Sequence, residues 1–290
     1  MVYSAAGGYE LLDYSSITNN INQMVTKIRY FILPLLLVAT SLPALAGNTS
    51  MIGSLNFSNE WQTVKDDYRE FYSRDRLLHM GMAFGAGAIV ANTHMDESFQ
   101  KWYQTDIRGN TTDDIAGGVK NFGEWQYLIP ASFGAAVLDK FIDGEQYHSS
   151  IGRWGSRSAR AYIVGTPMLL LTQALTGASR PSEGRGSNWR PFDNTHGVSG
   201  HAFVGAVPFL TIARMNEDNR VVKYLFYGAS TLTALSRIND NAHYLSQAGL
   251  GWFLAWEATD TVADRDGRKK IAFTPMPVKD GSGVYVSMQW

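Results

Sequence analysis

Apolar residues fall in six blocks separated by polar stretches, at 77–95, 125–141, 161–177, 201–214, 224–236 and 243–256. The blocks are rich in Ala, Leu, Gly and Met and too long for most strands, so they predict helices. A polar, aromatic-rich section at 58–76 leads into the first of them. The expected fold class is all-α, a helical bundle. At the C-terminus β-branched and aromatic residues alternate around Asp280-Gly281, which predicts a short β-hairpin over 270–290. No internal repeat or low-complexity linker divides the chain, so 47–290 reads as a single domain.

Several blocks are uncharged for 13 to 20 residues, close to the ~20 that span a bilayer. Their centres are diluted by Gly, Ser, Thr, Asn and His, and the mean hydropathy is -0.16. Buried helices of a soluble bundle therefore account for them better than spans. Ahead of the bundle, "MVTKIRYFILPLLLVATSLPALAG" joins Lys27 and Arg29 to an apolar run and an Ala44-Leu45-Ala46 exit, the three parts of a secretory signal. That reading makes 24–46 a signal peptide and 1–23 a non-native upstream extension, with translation starting at Met24. The expected location is the periplasm. The alternative is a protein integral to the inner membrane with its site facing the periplasm.

Composition changes this picture little. A formal net charge of -1 argues against nucleic acid as partner, because binding a phosphate backbone needs a basic excess. The chain has no cysteine, which excludes disulfides, thiolate metal sites and a cysteine nucleophile.

Candidate chemistry begins at "HGVSGHAF", 196–203. Metal ligation from one helix face favours histidines four apart. His196 and His201 are five apart, about 140° round a helix, and no metal is expected. A serine hydrolase elbow needs Gly-x-Ser-x-Gly, but His201 stands where the last Gly belongs. A serine in this place commonly caps the following helix. Such a turn also presents free N–H groups and the positive helix end to an anion. Positive charge comes from Arg180, in "ASRP" after an apolar helix, and from Arg237, in "SRINDNAH".

These three segments resemble the pattern of the type 2 phosphatidic acid phosphatase and vanadium haloperoxidase superfamily: Lys-x6-Arg-Pro, Pro-Ser-Gly-His and Ser-Arg-x5-His-x3-Asp. Here they read Gln173 to Arg180-Pro181, Val198-Ser199-Gly200-His201, and Ser236-Arg237 to His243 and Gln247, with order and intervals kept. The resemblance implies the superfamily's helical bundle and a phosphate site made by Arg180, Arg237, Ser199, Gly200 and Gln173. It implies His243 as nucleophile, forming a phosphohistidine, and His201 as the group that protonates the leaving alcohol and then activates water. Two departures matter. Gln173 replaces the lysine and offers only a neutral amide, roughly half as strong a partner for phosphate. Gln247 replaces the aspartate; its carbonyl can accept the Nδ1 proton of His243 but cannot offset charge. Asp240, three residues before His243, is a candidate substitute. His79, His94, His148 and His196 match no motif and read as structural.

The expected activity is hydrolysis of phosphomonoesters or pyrophosphates, lipid-linked ones included, by an acid-phosphatase or lipid-phosphate-phosphatase-like enzyme without cofactor. Its partner is a phosphorylated small molecule or a lipid phosphate, with membrane contact. The alternatives are a haloperoxidase holding vanadate as cofactor, a non-catalytic binder of phosphate or lipid headgroups, and a serine hydrolase using Ser199.

Overall fold

The computed structural model describes residues 57–143 and 149–267, with the backbone of the paired strands Val2–Tyr3 and Tyr9–Glu10, and Lys270–Val278 and Gly281–Gln289. The signal segment at 24–46, with Met24, lies outside the described residues.

Among the described residues the body is helical, as expected for an all-α chain. Ten α-helices follow one another: α1 Phe57–Phe71, α2 Arg74–Ala91, α3 Met95–Trp102, α4 Asn110–Val119, α5 Trp125–Asp143, α6 Ser150–Thr176, α7 Gly200–Met215, α8 Arg220–Ser230, α9 Leu232–Asn239 and α10 Leu245–Gly267. Three of these, α1, α3 and α4, fall outside the six apolar blocks. The block at 224–236 is not one helix. It breaks at Thr231, where the buried Ser230 is gripped by the Trp252 indole, whose Nε1 donates to Ser230 Oγ at 2.9 Å. His243 precedes α10 rather than lying inside it.

α6 is the axis of the bundle and packs against α5, α7 and α10. The core between them is built from Tyr162, Val164, Phe203, Val207, Leu210 and Leu254, with Phe71 from α1. Three helices carry an internal proline, Pro130 in α5, Pro167 in α6 and Pro208 in α7. A proline has no N–H, so the carbonyl four residues earlier loses its helical partner. The carbonyls freed by Pro167 and Pro208 are rescued by tyrosines: Tyr68 OH donates to Ile163 O at 2.9 Å, and the buried Tyr162 OH donates to Val204 O at 2.8 Å. The rescue bonds join α1 to α6 and α6 to α7.

Far from the apolar centre, one end of the bundle is held by charge. Arg160 grips Asp67 through Nε and Nη2 at 2.6 and 2.9 Å, and Arg76 reaches Glu257, Asp260 and Asp264 at 2.9, 2.6 and 2.5 Å. Arg160 lies ~20 Å from Gln173 along α6 at 1.5 Å per residue. The C-terminal end of α6 and the N-terminal ends of α7 and α10 are thus left free for a site at the opposite end. One helical stretch among the described residues, Ser150–Glu183, is long and apolar enough to cross a membrane, and 67% of its apolar 18-residue window is buried inside the protein.

Candidate phosphate-binding site

The site begins where α6 stops. Gly177 closes the helix in the left-handed conformation at φ 56, with its N–H on Gln173 O, and a Cβ there would lie 1.7 Å from Arg190 O. Only glycine fits. The chain turns out through Ala178 and Ser179 to Arg180 and then folds back: Arg190 N–H donates to Thr176 O and Phe192 N–H to Ala174 O, at 2.9 and 2.8 Å. These bonds satisfy carbonyls of the last helical turn and fix the loop that carries Arg180.

The second element enters as α7. Ser199 is its N-cap, accepting Ala202 N–H on Oγ at 3.2 Å. It is fully buried. The third element is the turn after α9. Arg237 O accepts the N–H groups of Ala242 and His243, and Asn241 takes a left-handed φ of 55. Asn tolerates that conformation. Asp240 closes α9 and pairs with Arg237 at 3.2 Å. It does not serve His243.

These segments meet round a cavity of about 220 Å³. Its polar side is made by Gln173, Arg180, His196, His201 and His243; Trp125, Leu169, Leu170 and Val204 make an apolar wall. Gly200 also lines it. Of the residues singled out from sequence, Gln173, Arg180, Gly200, His201 and His243 therefore share one cavity. Arg237 stands close enough that its charge acts on both His201 and His243, as does that of Arg180. Ser199 and Gln247 do not line the cavity. They lie buried behind it, tied by the bond from Ser199 N–H to Gln247 O at 2.9 Å.

Gln247 is completely buried. Its Oε1 lies 3.2 Å from Tyr244 N and its Nε2 2.8 Å from Ser179 O. A backbone N–H must face oxygen and a carbonyl must face the NH2, so the orientation of the amide is fixed by its neighbours. The same Oε1 is 3.0 Å from Nδ1 of His243, so Nδ1 must carry the proton. Nε2 of His243 then holds a lone pair. Burial drives the pKa of His243 down to about 3; the bond to Gln247 opposes this, and the charges of Arg180, His196 and Arg237 add to it. Its imidazole is neutral at neutral pH.

Gln173 lines the cavity and also ties it together: its Nε2 donates one hydrogen bond to Val198 O at 2.9 Å. It fastens the loop before α7 to α6. The Nε atoms of Arg180 and Arg237 are both buried without a hydrogen-bond partner among the described residues. Buried donors are rarely left so.

Sequence reasoning missed two contributors. His196, read as structural, lines the cavity with Nε2 3.6 Å from Glu183. Glu124, at the junction of α4 and α5, places Oε1 3.3 Å from Nε2 of His201. No local pattern marks Glu124, which acts across a long chain separation, whereas His196 lies five residues before His201 and its place in the same short segment was the available signal. The pKa of His201 is lowered, first by burial and then by Arg237, with Glu124 pulling the other way. Among the described residues no group of three or more His, Asp or Glu side chains could hold a metal ion. Comparison with protein-family models, with curated proteins and with solved structures finds no match.

Proposed function

We propose that the chain is an extracytoplasmic phosphatase cleaving phosphomonoesters or pyrophosphates, lipid-linked ones included, through a phosphohistidine. On this reading the bundle is of the type 2 phosphatidic acid phosphatase and haloperoxidase kind, with the strands over 270–290 as an appended hairpin. One observation carries it: Arg180, His201 and His243 line a single cavity, and the Nδ1 of His243 is committed to Gln247. The lone pair of Nε2 is left as the nucleophile.

Arg180 and Arg237 would hold the non-bridging phosphoryl oxygens, supplying the partners that their buried Nε atoms lack. The free N–H groups at the start of α7 add donors beside Gly200. Nε2 of His243 attacks phosphorus, the P–O bond to the alcohol breaks, and the leaving oxygen takes a proton from His201. Water then attacks the phosphohistidine, passing its proton to His201 while the P–N bond breaks. Positioning and charge stabilisation supply most of such a reaction. The apolar wall of Trp125, Leu169, Leu170 and Val204 suits a leaving group with hydrocarbon next to the ester oxygen. Exposed apolar side chains, Leu78, Met82 and Ile89 on α2 and Val221, Tyr224 and Leu225 on α8, would suit contact with a membrane.

The test is turnover of para-nitrophenyl phosphate without added metal, inhibited by vanadate and lost by ~10³-fold or more in His243→Ala. Full activity in that variant excludes the nucleophile. A second reading, a non-catalytic phosphate or headgroup binder, draws on Gln173, whose amide is spent on Val198 and leaves the cradle one cation short. Phosphate binding without turnover would establish it. The same shortage argues against retention of vanadate; halide oxidation requiring vanadate and peroxide would favour a haloperoxidase. Fractionation into a soluble periplasmic or a detergent-extracted pool tests the location.

A further inference from the structure

The segment joining α4 to α5 is moulded to one histidine. A Cβ on Gly123 would lie 2.9 Å from His201 Cβ and 2.8 Å from Thr233 Cγ2, so the backbone runs directly against the imidazole's stem. The next residue, Glu124, sends Oε1 to within 3.3 Å of His201 Nε2, and the one after, Trp125, forms part of the cavity wall. Both partners are about two-thirds buried, at 35% and 33% side-chain exposure. Among the described residues the side-chain partner of the other histidine of the pair is the neutral amide of Gln247. In this cavity, therefore, the carboxylate serves His201.

We propose that Glu124 is a positioning residue that holds His201 with Nε2–H toward the carboxylate and aims its Nδ1 at the leaving-group oxygen. The inference rests on the phosphatase reading and assigns the step at which Glu124 acts. Neutral His201 donates Nε2–H to Glu124 and keeps a lone pair on Nδ1; the imidazolium carries a second proton on Nδ1 and gives it up as the P–O bond breaks. Glu124 steadies the imidazolium and fixes which nitrogen gives the proton. The charged groups facing His201 are Glu124 from the α4–α5 junction, Arg237 from α9 and Arg180 from the loop after α6. Both arginines oppose the imidazolium, and Glu124 alone among these three favours it.

Glu124→Gln keeps the size of the side chain and removes its charge, and Glu124→Asp keeps the charge on a shorter arm. Ring-proton NMR of the full chain should show His201 titrating at lower pH in Glu124→Gln than in the wild type and in between in Glu124→Asp. Turnover of an alkyl phosphate, which needs a proton on its leaving oxygen, should fall about tenfold in Glu124→Gln, within the span of general-acid contributions. The burst of dinitrophenol from 2,4-dinitrophenyl phosphate, whose leaving group needs no proton and departs before the phosphohistidine is hydrolysed, should change less than about twofold, and the alkaline limb of the alkyl-phosphate pH profile should move down. An unmoved His201 titration in Glu124→Gln, or equal loss with both esters, overturns the proposal. Absence of turnover in the wild type overturns the phosphatase reading, and the titration still decides whether Glu124 governs His201.

Discussion

The side-chain oxygen of Gln247 meets Nδ1 of His243 at 3.0 Å while the other end of the same amide holds Ser179 O at 2.8 Å. One neutral side chain thus sets the tautomer of the imidazole and ties the start of α10 to the loop leading to Arg180.

Gln247→Asp separates these two tasks. The carboxylate keeps an acceptor for Nδ1 and adds charge, so the His243 titration should rise well above its value of about 3. Turnover should be unchanged or higher. Ser179 O loses its donor, however, and an unsatisfied buried carbonyl costs ~1–3 kcal/mol. NMR titration and urea denaturation at pH 7.5 read the two effects separately.

Burial of neutral His243 makes stability depend on pH. Its pKa is about 3 in the fold against the ordinary 6.5, so the unfolded chain binds the extra proton first. The contribution is complete above ~6.5 and is lost as pH falls toward ~3, at up to ~1.4 kcal/mol per pH unit from this group. The wild type should therefore show a denaturation midpoint that drops between pH 6.5 and 4.5 more steeply than that of His243→Asn. Parallel curves for the two proteins would contradict the assignment.

Tyr162→Phe removes one hydroxyl from the core. Val204 O, deprived of its helical donor by Pro208, then has no partner from Tyr162. The expected loss is ~1–3 kcal/mol, measured by denaturant unfolding, with little change in the dimensions of the site. A loss below ~0.5 kcal/mol would show that water or a shifted backbone takes over the carbonyl.

Asp67→Asn tests the charged end of the bundle. Asp67 is fully buried against Arg160 and Arg265, and breaking a buried ion pair from one side costs ~3–5 kcal/mol. A variant that unfolds much earlier yet keeps normal phosphate affinity when folded would confirm that this end supports the site only through the fold.

The helices of the apolar blocks were legible because their side chains announce burial. α1 was not, since its buried face includes Asp67 beside Val64 and Phe71; a carboxylate hidden by pairing with Arg160 reads as solvent-facing in sequence. The break at Thr231 was equally silent. No Gly or Pro stands at 231, and the indole that holds Ser230, that of Trp252, lies on another helix. Motif spacing found Arg180, His201 and His243, and the chemistry of an amide foresaw the contact of Gln247. It did not foresee that Gln173 donates to Val198 O, a backbone carbonyl that only tertiary packing brings near. Glu124 was invisible for the same reason, since a separation of 77 positions from His201 leaves no local trace.

The fold-back of Arg190 and Phe192 onto Thr176 and Ala174 makes the rim of the cavity and the terminus of α6 a single hinge-less clasp. Swinging Arg180 outward means first fraying that terminus. On the proposed reading, release of phosphate from the arginine side should keep the same clock as deuterium exchange at those two amides.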